Sequence, residues 1–207
     1  MATDADLVAR ALAGDTSAFG DLYDAYAPRL LAFCTRVLGD PHEAADAVQD
    51  TFVLAVQRLG QLREPDALRA WLYAIARNEC TRRGRARARA VPTAEPVPVT
   101  AEGPNDDVGD VVASEQYVAW LWAAAEGLDE RDRLLLELNV RHGLEGAELA
   151  EAAGIPTGQI SMATGRMRER SERALGAMLV ARQGRADCDE LQRVLTGWDG
   201  TFDVLWR

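Results

Sequence analysis

The triplet Gly39-Asp40-Pro41 separates two long apolar stripes of helical period, and it commits the chain around it to helices. Glycine stops the preceding helix, aspartate caps the next, and proline fits the first helical position. Upstream, Phe19, Leu22, Tyr23 and Tyr26 recur at i, i+3, i+4 and i+7. Pro28 then permits a new helix start, and Leu30, Leu31, Phe33, Cys34, Val37 and Leu38 extend the stripe. Downstream, the spacing predicts a helix over 41–59 with Ala44, Ala45, Val48, Phe52, Ala55, Val56 and Leu59 on its core side. Its other side carries Glu43, Asp46, Gln49, Asp50 and Gln57.

The same period predicts helices over 4–13, from Asp66 to about Arg83, from Ser114, over Leu134–Val140, over Glu145–Ala153 and over Thr157–Ala181. Ala, Leu and Arg dominate, a mixture that favours helix, and the fold class is all-α. Residues 90–112 break the pattern with Pro92, Pro96, Pro98, Pro104 and a run of acids. That composition describes a flexible linker. It divides the chain into a domain at 1–89, a linker at 90–112, a second domain at 113–181 and a C-terminal extension at 182–207.

The net charge of −10 argues against a nucleic-acid binder until its distribution is considered. Residues 61–90 carry a net +5 and residues 131–186 a net +2, whereas 91–130 between them carry −9. Contacts form within a Debye length of about 8–10 Å, so local sign outweighs the total. All 23 basic residues are Arg, the better residue for bidentate contact with phosphate or guanine.

No catalytic constellation is visible, and an enzyme is not expected. His42 and His142 are the only histidines, and neither sits in a zinc-like or triad-like pattern. Cys34, Cys80 and Cys188 are odd in number and far apart, with no CxxC pair. No metal and no cofactor are expected. No apolar run approaches the roughly 18 residues of a membrane span, and the N-terminus lacks a signal-peptide pattern. A cytoplasmic protein fits.

Three blocks carry a specific resemblance. They are Phe19-Gly-Asp-Leu-Tyr-Asp-Ala-Tyr-Ala-Pro-Arg-Leu, then Leu38-Gly-Asp-Pro-His-Glu-Ala-Ala-Asp-Ala-Val-Gln-Asp-Thr-Phe, and Arg69-Ala-Trp-Leu-Tyr-Ala-Ile-Ala-Arg-Asn. In order and spacing they resemble domain 2 of the extracytoplasmic-function (ECF) sigma factors of the sigma-70 family. Residues 114–175 resemble domain 4 of the same family, with the turn in Glu148-Leu-Ala-Glu-Ala-Ala-Gly-Ile-Pro as its clearest part.

The resemblance implies two helical domains that bind core RNA polymerase at its beta-prime clamp helices and beta flap, and that direct it to promoter DNA. It places polymerase docking on Asp46, Gln49, Asp50 and Phe52. It places reading and melting of the −10 element on Arg69, Tyr73, Arg77, Asn78 and Arg82, and a pocket for a flipped base at Gln61 to Pro65. Stacking and phosphate contact are the means by which aromatics and arginines hold separated strands. Trp71 falls on the Leu68–Leu72–Ile75 face and is expected in the core, Tyr73 in solvent.

The helix from Thr157 resembles the family's recognition helix for the −35 element, with Thr157, Gln159, Ser161, Met162, Arg166 and Arg168 as candidate contacts. It departs from the family at Ser161 and Ala163, where basic residues are usual, which points to weakened or altered −35 binding. The acidic linker is expected to thread polymerase channels in place of phosphate. An anti-sigma factor is a further candidate partner. Trp198, Phe202, Leu205 and Trp206 in the extension suggest a buried surface, with a regulatory role expected for the extension. Two other readings fit parts of the chain: a helix-turn-helix regulator that binds duplex DNA alone, and a helical adaptor that binds only protein.

Overall fold

The computed structural model describes residues 3–90, 111–184 and 187–198, with backbone alone at 90 and 111–117. Most of the expected linker and the tail residues Phe202, Leu205 and Trp206 lie outside the described residues. Every regular element among the described residues is helical.

Local chemistry sets the boundaries. Helix α1 (Asp4–Leu12) opens on a reciprocal cap: Asp6 N donates to the Thr3 hydroxyl at 3.2 Å and Thr3 N to the Asp6 carboxylate at 3.1 Å. Helix α2 (Thr16–Leu38) starts where Ser17 N donates to Asp15 at 2.9 Å. It runs unbroken through Pro28, so the helix start expected there is absent. Pro28 removes one backbone bond, to the carbonyl of Asp24, but both residues are exposed and water can satisfy that carbonyl. Gly39 then turns left-handed at φ 68°, and Asp40 accepts from His42 N at 2.8 Å and Glu43 N at 3.2 Å. Helix α3 (Pro41–Arg58) follows as the triplet dictates.

The buried stripe of α3 is Ala44, Ala47, Val48, Thr51 and Ala55, rotated from the expected one. Ala45 and Val56 face solvent. Helix α3 packs against both α2 and the next long helix, and small side chains permit that approach. Thr51 is accommodated because its hydroxyl donates to the Ala47 carbonyl at 2.7 Å. Two 3-10 turns, Leu59–Gln61 and Pro65–Ala67, lead into α4 (Leu68–Ala90). Leu68, Leu72, Ile75 and Ala76 are buried, and so is a second stripe of Ala70, Tyr73 and Cys80. Helix α4 packs against α2, α3 and α7, which explains burial on more than one side.

After α5 (Val111–Ala125) and α6 (Glu130–Leu136), the expected Leu134–Val140 helix is split by a π-turn, Glu137–Arg141. His142 N donates to the Glu137 carbonyl at 3.2 Å to close it. Helix α7 (Gly146–Ala153) ends at Gly154, left-handed at φ 66°, and α8 (Thr157–Gln183) begins after Pro156. Helix α9 (Asp189–Val194) closes the described chain.

The described residues gather into two compact units. One holds α1–α4 together with residues 137–160, so the π-turn and α7, assigned from sequence to the second domain, pack with the first. The other holds α5, α6, the rest of α8 from Ser161, and α9. In it, Trp120, Leu121 and Ala124 pack against Leu175 and Met178. Asp132, 4% exposed, accepts from Arg170 at 2.5 Å. Trp198, Leu195 and Leu191 close over Ala181, so this part of the extension forms the buried surface its composition suggested.

Candidate polymerase-docking and nucleic-acid surfaces

The first surface is built where α3 and α4 meet. Arg83, on α4, reaches back to α3, with one guanidinium nitrogen 2.8 Å from Glu43 and 3.5 Å from Asp46, and the other 2.7 Å from Asp50. Arg82 adds a bridge to Asp50 at 2.8 Å and one to Glu79. Burial pulls the Arg83 pKa down, but hydrogen bonds and the charges of Glu43 and Asp50 outweigh it, and the net shift is upward. Of the candidate docking residues, Asp46 and Gln49 are exposed and Asp50 is half-buried within this lattice. Phe52 is also half-buried, its ring 4.7 Å from that of Tyr23. These two rings, with Phe19, Val56 and Leu59, line an apolar groove of about 240 Å³ beside the acids.

The second surface is α4 itself, and here the structure corrects the sequence. Tyr73, expected in solvent, is 1% exposed, and Trp71, expected in the core, is half-buried. The Tyr73 ring meets Phe33 edge-on at 5.4 Å and His142 at 4.9 Å. Burial pushes its phenol pKa up to about 12. Arg69 donates to the carbonyls of Gly143 at 2.7 Å and His142 at 3.2 Å, and lies 3.4 Å from Glu148. Arg77 passes beneath Gly154, where a Cβ would collide with its guanidinium. Burial lowers the Arg77 pKa. Three of the five candidate −10 contacts are therefore held by residues 142–154.

The other two remain on the open side. Asn78 and Arg82 line, with Thr81, Arg85 and Arg89, a shallow depression of about 400 Å³ whose charge suits phosphate. The turn at Gln61 to Pro65 is largely exposed.

The third surface is on α8. Thr157, Gln159, Ser161, Met162, Arg166 and Arg168 are all exposed, as a recognition helix requires. Ala163, one of the two departures from the family, is 5% exposed and belongs to packing.

Sequence reasoning missed Glu43 and Arg83 as members of the α3–α4 lattice, and His142 and Gly154 as partners of α4. Arg83 stood in the basic run, but nothing local marks it as the arginine that turns inward. Among the described residues no group of three metal-ligating side chains comes together, and no helix is long and apolar enough to cross a membrane.

The family model for sigma-70 region 2 matches residues 22–90, which takes in most of α2 and all of α3 and α4. RNA polymerase sigma-H factor of Pseudomonas aeruginosa is 30% identical over 187 residues, covering 85% of this chain and 95% of its own length. The chain belongs to the ECF sigma factors of the sigma-70 family. ECF RNA polymerase sigma factor SigM of Mycobacterium tuberculosis is likewise 30% identical, over 84% of this chain and 85% of its own. The solved structure of CnrH in complex with the cytosolic domain of CnrY matches with a TM-score of 0.58 and 26% identity, covering 84% of this chain and 97% of that one. As an ECF sigma factor the protein is a transcription initiation factor for RNA polymerase, and the candidate surfaces on α3 and α4, but not the one on α8, fall inside the matched region 2.

Proposed function

We propose that this sigma factor docks on the beta-prime clamp helices of core polymerase through α3, with Asp46, Gln49, Asp50 and Phe52 as the contact set. The observation that carries this reading is the arrangement of α3: an acidic and polar exposed side beside an apolar groove ending in Phe52 and Tyr23. Acids steer a basic partner and aromatics anchor it.

Helix α4 then meets the −10 element, with Asn78 and Arg82 on phosphates or bases and Arg69, Tyr73 and Arg77 joining once they are uncovered. Helix α8 lies in the −35 major groove with Thr157, Gln159, Ser161, Met162, Arg166 and Arg168. The second domain also meets the beta flap, the linker occupies a polymerase channel, and an anti-sigma factor is a further partner. The protein acts in the cytoplasm and performs no chemistry of its own.

Titrating labelled core polymerase with the protein tests the docking claim. Asp50→Arg should weaken binding at least about tenfold, since it places like charge against a basic partner. Affinity equal to that of the unmodified chain would remove α3 from the interface.

A further inference from the structure

Arg83 belongs neither to the docking set nor to the DNA-reading set, yet it touches the docking acids from behind. Glu43, Asp46 and Asp50 stand at i, i+3 and i+7 of α3, so their carboxylates share one side of that helix. Like charges at such spacings repel each other. Arg83 of α4 lies beneath them. One of its terminal nitrogens donates to Glu43 at 2.8 Å and lies 3.5 Å from Asp46, and the other donates to Asp50 at 2.7 Å. The cation is the inner member of the group: its side chain is 18% exposed, against 46% for Glu43, 65% for Asp46 and 40% for Asp50. Each acid meets it through a single oxygen, Oε2 of Glu43 and Oδ2 of Asp46 and Asp50. The second oxygen of each can therefore accept from a partner. A guanidinium is a rigid planar fork that can hold several carboxylates in one geometry, whereas an ammonium is a point charge.

We propose that Arg83 is a positioning residue for polymerase docking: from inside the α3–α4 junction it sets Glu43, Asp46 and Asp50 in one ordered row, and a basic surface of the polymerase receives that row. The proposal rests on the reading of α3 as the docking helix, and it adds Glu43 to the acids that the partner meets. Acids that are already ordered lose less side-chain freedom when the partner arrives. Three carboxylates outnumber one guanidinium, so the row still attracts a basic surface. The two effects separate in the rates. Removing the Arg83 charge leaves the attraction undiminished, so encounter is not slowed. It frees the carboxylates to splay, so the complex comes apart sooner.

The test measures association and dissociation of the full chain on immobilised core polymerase by biolayer interferometry. Arg83→Gln should leave the association rate unchanged, or raise it by up to about twofold, and should speed dissociation roughly three- to tenfold. Arg83→Lys keeps the charge and the aliphatic stem, so it preserves the junction should Arg83→Gln loosen it. A single ammonium cannot span the row, and dissociation should again be faster. In an Asp50→Asn background the effect of Arg83→Lys should shrink, because one arm of the fork has then lost its charged partner. Unaltered dissociation in both Arg83 variants, or an equal effect of Arg83→Lys with and without Asp50→Asn, would overturn the proposal. So would a lower binding amplitude with unaltered rates, which would mark Arg83 as structural alone. In each of these cases, weaker binding by Asp50→Arg would leave docking through α3 standing. Should Asp50→Arg bind as the unmodified chain does, α3 leaves the interface and the role of Arg83 goes with it.

Discussion

The hydroxyl of Tyr73 lies 2.8 Å from Nδ1 of His142, across 69 residues of sequence, and this contact ties α4 to the turn that precedes α7. Both rings also pack edge-on against Phe33. Tyr73→Phe keeps the ring packing and deletes only the hydroxyl. It leaves a largely buried imidazole nitrogen without its partner, which costs about 1–2 kcal/mol. Urea denaturation followed by far-ultraviolet circular dichroism should show that loss with unchanged helix content at zero denaturant. An unchanged midpoint would mean that the hydrogen bond contributes nothing to the folded state.

The helix caps predict how the protein responds to acid. A hydrogen bond from Ser17, with a second from Arg10, lowers Asp15 from 3.8 to about 2. Backbone N–H groups of Glu43 and His42 lower Asp40 as well. These carboxyls hold protons less tightly folded than unfolded. Their contribution is therefore complete above the ordinary aspartate range and is lost as pH falls through it toward about 2. Asn at both positions still accepts the capping bonds but cannot titrate in this range. Melting temperatures of Asp15→Asn/Asp40→Asn should fall less steeply with acid below about pH 4 than those of the unmodified protein. Parallel curves would show that these caps do not govern acid stability.

The extension should be anchored by one side chain. Trp198 is 8% exposed and packs with Leu191 and Leu195 over Ala181. Helix α9 has only six residues and no side-chain cap, so its own backbone bonds hold it weakly. Trp198→Ala should raise amide hydrogen exchange in residues 189–194 by more than about tenfold, because a short helix without its packing is marginal in water. Exchange in α4 should stay as it was. Unchanged exchange in 189–194 would assign the order of α9 to other contacts.

What could be read from the sequence was whatever is settled within a few residues. Gly39-Asp40-Pro41 and Gly154-Ile155-Pro156 act on backbone groups beside them, and the helices start and stop where they say. Pro28 misled because its effect depends on whether water reaches one carbonyl, and exposure is a tertiary property. The faces of α3 and α4 misled for a related reason. Hydrophobicity favoured Phe52 and Val56, yet beside the expected Ala44, Val48 and Ala55 the core stripe uses Ala47 and Thr51, chosen for the closeness of two neighbouring helices. Tyr73 went into the core and Trp71 only half-way because α4 is packed on several sides and one amphipathic stripe cannot describe it.

The candidate site was legible in part. Asp46, Gln49, Asp50 and the Arg-rich end of α4 could be named from the family resemblance, and all have surface. Their connections could not. Arg83 meets Glu43 and Asp50 from 40 and 33 residues away, and Arg69 meets Gly143 from 74. Nothing in local sequence records which of eight arginines in residues 61–90 turns inward.

The central claim, that this chain gives core polymerase its promoter choice, is tested most directly by run-off transcription. Purified core polymerase would be supplied with a pool of promoters, with and without the protein, and with Asp50→Arg in its place. New start sites that need the protein, and that disappear with Asp50→Arg, are the predicted result. Tight binding to duplex DNA by the protein alone, with no start site that depends on it, would contradict the account.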